Sequence, residues 1–130
     1  MARARKGTLA AVRWAVASAV LPGEAESGDL ATVEAFRGSV LAAVVDALGH
    51  GPEAAAAART CIELVKGHGG EPLDALFRRC HQALLGTRGV VMSVVSINTG
   101  QNMLTWLGVG NVDGLVVSAD EGGSRSREGL

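Results

Sequence analysis

The sequence has few aromatic residues, cysteines and prolines. Its 130 residues include two Phe, two Trp, no Tyr, two Cys and three Pro. With so few aromatic side chains, the core must be built from Val, Leu, Ile and Ala. Cys61 and Cys80 lack metal-ligand spacing and a secretory context, which argues against a zinc site or a disulfide framework. The two thiols are therefore expected to be reduced, in a cytoplasmic protein.

The chain also has no large excess of positive or negative charge. The net charge is −1, so the chain carries no basic footprint for nucleic acid, and the basic residues 1–6 are interpreted as a solvated terminus. The apolar stretch 9–21 is interrupted by Arg13 and Ser18 and is too short to span a membrane. We expect neither a nucleic acid nor a membrane as partner. Hydrophobic residues at 48% predict one small folded domain.

Hydrophobic patterns and turn residues predict three strands, two helices and three more strands. The predicted strands cover residues 8–20, 29–37, 40–45, 89–98, 103–109 and 112–118, and the helices cover 51–66 and 71–85. Gly67 is expected to end the first helix. Residues 119–130 are glycine-rich and charged and are expected to form a poorly ordered tail or loop. Because strands and helices do not alternate, the order excludes a doubly wound parallel fold and predicts an antiparallel α+β domain.

Asp46 is the most informative residue of the sequence. It follows the apolar run 38–45 and precedes a turn that contains Gly49 and Gly51, while Asp29, after Gly28, begins the preceding strand. Two carboxylates at adjacent strand ends can share Mg²⁺ or Mn²⁺, which prefer oxygen ligands. The alternatives are a helix-capping role for Asp46 and an ordinary turn role for Asp29.

No convincing pair of nucleophile and base accompanies these aspartates. Two cations can activate water for attack on a phosphate, so that no nucleophilic side chain is needed. Cys61 and Cys80 fall inside predicted helices and are interpreted as core residues. His50 could donate a proton or hold the turn by hydrogen bonding, and we favour the structural role. The strand-to-helix turn lacks the Lys and Ser/Thr of a P-loop.

Three segments carry a resemblance to a known family. They are Gly28-Asp29, Val44-Val45-Asp46-Ala47-Leu48-Gly49-His50-Gly51 and Gly108-Val109-Gly110-Asn111-Val112. With them the chain resembles, over about residues 8–118, the metal-dependent serine/threonine phosphatases of the type 2C class, in the bacterial branch of SpoIIE, RsbU and RsbX. The third segment, in a chain that carries nothing but this domain, is most similar to the stressosome phosphatase of that branch.

The resemblance implies a four-layer αββα sandwich of antiparallel sheets with two Mn²⁺ or Mg²⁺ ions. Asp46 matches the catalytic aspartate that bridges both ions, Asp29 matches a second acidic residue of the metal shell, and the carbonyl of Ala47 matches a backbone ligand. The implied activity is hydrolysis of phosphoserine or phosphothreonine in a protein. The implied partner is a phosphorylated STAS-domain protein or stressosome scaffold in the cytoplasm.

The chain also departs from the family pattern. Members carry further metal-binding aspartates in a Ser/Thr-Asp-Gly turn and in an Asp-Asp or Asn-Asp pair, and neither Asp113 nor Asp120 matches them. We therefore expect residues 1–118 to be a phosphatase-like domain that lacks its C-terminal part. The alternatives are a catalytically weak module that binds phosphorylated regulators, and a structural domain whose aspartates only end strands.

Overall fold

The computed structural model describes residues 2–19, 22–23, 27–120 and 123–129, with only the backbone given for residues 120 and 123–129. In the loop 21–28, residues 21 and 24–26 lie outside the described residues. Within these ranges four strands precede two helices and four strands follow them. In chain order the elements are β1 (Ala2–Leu9), β2 (Val12–Ala19), β3 (Asp29–Phe36), β4 (Ser39–Ala47), α1 (Gly51–His68), α2 (Leu73–Ala83), β5 (Val90–Asn98), β6 (Met103–Val109), β7 (Gly114–Asp120) and β8 (Gly123–Gly129).

A four-stranded antiparallel sheet forms the centre of the structure, with strand order β3-β4-β5-β6. Side chains alternate along β4, so that Leu41, Ala43 and Val45 are buried while Val44 and Asp46 are exposed on the other face. A tight hairpin at Gly38, which has a φ of 81°, joins β3 to β4. The strands β1–β2 and β7–β8 form two further antiparallel pairs.

Both helices pack on the face of the sheet that carries Leu41 and Val45. Small side chains of α1, such as Ala54 and Ala58, bring this helix close to the sheet, and Leu76 of α2 is fully buried in the same core. The layer of helices on an antiparallel sheet confirms the predicted α+β class. Among the helices that the structure describes, none combines the length and the apolar character needed to cross a membrane.

The helices end at other residues than predicted. Helix α1 runs through Gly67 to His68, and its C-cap residue is Gly69, whereas α2 ends at Ala83. Gly67 was expected to stop α1, but a Cβ at this position would meet nothing within 4 Å, and one interior glycine costs a helix only about 1 kcal/mol. The packing of Ile62 and Val65 in the core carries the helix past it.

The prediction of one long strand over residues 8–20 is wrong. The chain instead forms the hairpin β1–β2, which turns at Ala10 with a φ of 52°, and residue 20 lies outside the described part. Gly7 of β1 lies opposite Trp14 of β2, and a Cβ at Gly7 would come within 2.8 Å of the indole ring. The aromatic side chain therefore covers the glycine and favours pairing of a segment that was interpreted as a solvated terminus.

The end of the chain also differs from the prediction. Strand β7 continues past the expected boundary at residue 118, and β8 occupies most of the segment that was expected to be poorly ordered. The two strands pair in register from Gly114 opposite Gly129 to Asp120 opposite Gly123. Residues 121, 122 and 130 lie outside the described residues.

Candidate metal centre

Asp29 and Asp46 are directly opposite each other in the pairing of β3 with β4. Side chains at opposite positions of an antiparallel pair lie on the same face, with their Cβ atoms about 5 Å apart. The neighbours of Asp46 on its own strand, Val45 and Ala47, are buried in the core, so both aspartates point away from the helices. The predicted meeting of the two carboxylates is therefore seen at one end of the central sheet.

The two carboxylates affect each other electrostatically. The pKa of Asp29 is raised above its ordinary value, first by partial burial of the carboxyl group and then by the hydrogen bond and the negative charge of Asp46. Two acidic groups at this separation repel each other when both are ionised. A divalent cation placed between them would remove that cost, so the pair has the chemistry of a cation site.

Backbone contacts fix the two strand ends. The N–H of Ala47 donates to the carbonyl oxygen of Gly28 at 2.9 Å, and the N–H of Asp29 donates to Oγ of Ser27 at 2.9 Å. A Cβ at Gly28 would lie 3.4 Å from the carbonyl oxygen of Ala47 and 3.3 Å from Cβ of Ala54. A side chain at this position would therefore contact the Ala47 carbonyl, the third predicted ligand.

The turn after Asp46 needs its glycines. Gly49 has a φ of 93° and Gly51 has a φ of 74°, a backbone conformation that favours glycine at both positions. The N-cap residue of α1 is His50, in an extended conformation, so Asp46 does not cap this helix and the capping alternative is wrong. The N–H of Leu48 donates to the carbonyl oxygen of Gly89 at 3.0 Å, which ties the turn to the start of β5.

The same substitution at two glycines should change stability in opposite directions. Gly49→Ala forces a side chain into positive φ, with its Cβ 3.2 Å from Nη1 of Arg88, and is expected to lower the free energy of unfolding by about 1–3 kcal/mol. Gly67→Ala has open space in α1 and should raise it by about 0.5–1 kcal/mol. Urea denaturation of both variants checks this, and equal signs would contradict the assigned turn geometry.

The third motif lies at the same end of the sheet. Val109 pairs with Met92, and the next residue, Gly110, has a φ of 92°. A Cβ at Gly110 would meet the side chain of Val91 at 2.7 Å, and Val91 is the β5 partner of Asp46. All three sequence motifs are therefore neighbours in the fold.

The donor set fits a hard cation. In the part of the chain that the structure describes, no third Asp, Glu, His or Cys side chain joins the two aspartates to make a group of three. Mg²⁺ is commonly held by one or two carboxylates and several waters, so two carboxylates and a backbone carbonyl suffice for one such ion. Two carboxylates alone provide few protein ligands for a pair of ions.

Two arginines near the site were missed by the sequence analysis. Arg3 and Arg5 line a cleft of about 570 Å³ together with Asp29, Ala31 and Val44. Their spacing of two residues places both side chains on one face of a strand. The sequence shows this shared face only when residues 1–6 are assigned to a strand.

The buried cysteines are core residues, as predicted. Cys61 and Cys80 are free thiols in the interface of α1 with α2. The hydrogen bond to Cys80 and the burial of the group raise the pKa of Cys61, which keeps its thiol neutral. A neutral, buried thiol is unsuited to act as a nucleophile.

Known proteins resemble this chain over most of its length. No family model matches the chain. The phosphoserine phosphatase RsbX of Bacillus subtilis (strain 168) is 32% identical over 90 residues, which are 69% of this chain and 45% of RsbX. A crystal structure of RsbX in complex with magnesium superposes with a TM-score of 0.74 at 29% identity, over 84% of this chain and 53% of that one.

A second solved structure comes from work on the bacterial stressosome as a modular system adapted to control secondary messenger signaling. It has a TM-score of 0.73 at 28% identity and covers 97% of this chain and 57% of its own. The chain thus spans about half the length of the proteins it matches. Over that half it is homologous to RsbX, and it belongs to the RsbX branch of the type 2C class of protein phosphatases.

Proposed function

We propose that this chain carries the catalytic aspartates of a metal-dependent phosphoserine/phosphothreonine protein phosphatase. The observation that supports this most strongly is the direct pairing of Asp29 with Asp46 at a strand end, in a homologue of a phosphoserine phosphatase. The raised pKa of Asp29 is consistent with a pair of carboxylates that requires a positive partner.

In this proposal Asp46, Asp29 and the carbonyl of Ala47 hold Mg²⁺ or Mn²⁺, with two ions expected. When bound, such ions supply a water nucleophile of lowered pKa and neutralise charge on the phosphate. The protein contributes rigid placement, because Asp29 and Asp46 stand on paired strands whose other face is packed against α1. Gly28 contributes by leaving space beside the Ala47 carbonyl, where a Cβ would lie 3.4 Å from its oxygen. The magnesium in the RsbX structure supports a divalent cation as cofactor.

The relatives support a proposal for the substrate class. RsbX is a phosphoserine phosphatase, and a stressosome structure superposes on nearly the whole chain. We therefore propose a phosphorylated STAS-domain protein or stressosome scaffold in the cytoplasm as the substrate. A role in resetting a stress signal would follow from this activity.

A second function is favoured by one specific observation. The described residues bring only two acidic side chains together, and the chain spans about half of RsbX. A module with this incomplete ligand set could bind phosphorylated regulators with little turnover. This reading predicts phosphoprotein binding that does not depend on a divalent cation.

The test is phosphate release from a phosphorylated STAS-domain protein, with and without Mg²⁺ or Mn²⁺. The assay uses this chain and a chimera in which the chain is followed by the C-terminal half of RsbX. Cation-dependent release by either protein supports the phosphatase, and release by the chimera alone shows that this chain supplies part of the site. If both proteins bind the phosphorylated STAS-domain protein without a cation and release no phosphate, the binding module is favoured over the phosphatase.

A further inference from the structure

The hairpin β1–β2 carries both arginines of β1 on the face that lies toward the central sheet. On β1 the side chains of Arg3, Arg5 and Gly7 share one face, and their partners on β2 are Ser18, Val16 and Trp14. Trp14 and Val16 are partly buried, whereas Arg13 and Ala15, which alternate with them along β2, are exposed. The face that carries the arginines is therefore the inner face of the hairpin.

Arg5 is held in place by two contacts. Its Nη2 donates to the carbonyl oxygen of Ala31 at 3.1 Å, and its guanidinium carbon lies 6.0 Å from the centroid of the Trp14 ring. Ala31 is two residues from Asp29 on β3, on the same face of the sheet. Arg5 is thus anchored along the strand that presents one of the two aspartates.

Arg3 has no such anchor. Among the described residues it makes no hydrogen bond and no ion pair, and neither arginine forms an ion pair with Asp29 or Asp46. Both arginines line the cleft of about 570 Å³ that also contains Asp29 and Val44. The cleft therefore carries positive charge on the side formed by the hairpin and negative charge on the side formed by the sheet. No ion pair between described residues joins these charges across it.

We propose that Arg3 and Arg5 bind the phosphoryl group of a phosphomonoester substrate in this cleft. This proposal rests on the proposed function, since it assigns the arginines to the substrate of the same site. A phosphate dianion that approached the two carboxylates alone would be repelled, and guanidinium groups bind phosphate through paired N–H donors. Cations between the carboxylates and arginines across the cleft would contact different oxygens of one phosphate.

The hairpin offers matched controls for this proposal. Lys6 and Arg13 lie on the outer face of the same two strands, so that Lys6→Gln and Arg13→Gln remove the same charge on the opposite side. Arg3→Gln removes a side chain without a described contact, and its fold should be unchanged. Arg5→Lys keeps the charge and loses the planar group that reaches Ala31.

The experiment is an NMR titration of the whole chain with inorganic phosphate, at fixed Mg²⁺, for the wild type and the four variants. We expect Arg3→Gln and Arg5→Lys each to weaken phosphate binding about tenfold, and Lys6→Gln and Arg13→Gln to change it less than about twofold. In the hydrolysis assay the inner-face variants should raise KM with little change in kcat.

Equal phosphate affinity in all variants would overturn the proposal, as would an equal loss in the inner and outer variants. A Mg²⁺ titration of the same samples, read from the resonances of Asp29 and Asp46, reports separately on the proposed metal centre. If Arg3→Gln binds Mg²⁺ normally and its phosphate affinity is unchanged, the arginines do not bind the phosphoryl group. The proposed function is not contradicted by that result.

Discussion

Replacement of Asp46 by Asn is expected to lower cation-dependent phosphate release by at least about 100-fold, because the substitution removes one of two paired negative charges that hold the cation. Asn has the same size and keeps one carbonyl oxygen, so what it removes is the charge. Since Asp46 is exposed and makes no core contact, the fold should survive. The assay is phosphate release by the chimera with the C-terminal half of RsbX, at several Mg²⁺ concentrations.

The matched control for this prediction is Asp113→Asn. Asp113 is an exposed aspartate before Gly114, outside the central sheet, and matches no ligand position of the family. Its replacement should leave the rate within about twofold of the wild type, as for most exposed charges. A rate in Asp46→Asn as high as that of Asp113→Asn would remove Asp46 from the catalytic centre.

Replacement of Leu76 by Ala is expected to give the largest loss of stability, about 2–5 kcal/mol in the free energy of unfolding. Leu76 is fully buried, on the face of α2 that packs in the core with residues of α1. The shortened side chain leaves a cavity that the helices can only partly close. Because α1 and the sheet that carries Asp46 share this core, the loss of stability should also lower the fraction of protein at 37 °C in which the metal centre is folded.

Leu85→Ala makes the same chemical change at a side chain that is 66% exposed. It should cost less than about 1 kcal/mol, as surface substitutions usually do. Urea denaturation of both variants, followed by circular dichroism, measures the difference. Similar midpoints for the two variants would show that α2 does not pack as the structure has it.

The placement of Asp29 beside Asp46 could be predicted from the sequence, because local signals and topology agree at this point. The apolar run before Asp46 indicates a strand, and the two positive-φ glycines after it indicate a sharp turn. The tight hairpin at Gly38 then requires antiparallel neighbours, which brings the start of β3 beside the end of β4. No further tertiary information is needed to place Asp29 opposite Asp46.

The N-terminal hairpin could not be predicted in the same way. Residues 2–6 have a strongly basic composition, and the feature that favours their pairing is the contact of Gly7 with Trp14 across the strands. Such a contact is tertiary and overrides composition. The arginines of the cleft were missed for the same reason, since only the strand assignment places Arg3 and Arg5 on one face.

The end of α1 shows a second limit of local signals. Gly67 resembles a helix terminator, yet the C-cap residue is Gly69, whose φ of −67° is an ordinary right-handed value. A Cβ at Gly69 would lie 2.5 Å from the ring of Phe36, so close packing is what requires glycine there. Sequence alone does not distinguish a glycine needed for its φ from one needed for its small size.

The most direct test of the account is an isothermal titration of Mg²⁺ into the wild-type chain and into Asp29→Asn, Asp46→Asn and Asp113→Asn. The account predicts saturable binding by the wild type and by Asp113→Asn, a loss of affinity of at least about tenfold in Asp29→Asn, and no measurable binding by Asp46→Asn. Equal Mg²⁺ affinity in all four proteins would contradict a metal centre at Asp29 and Asp46.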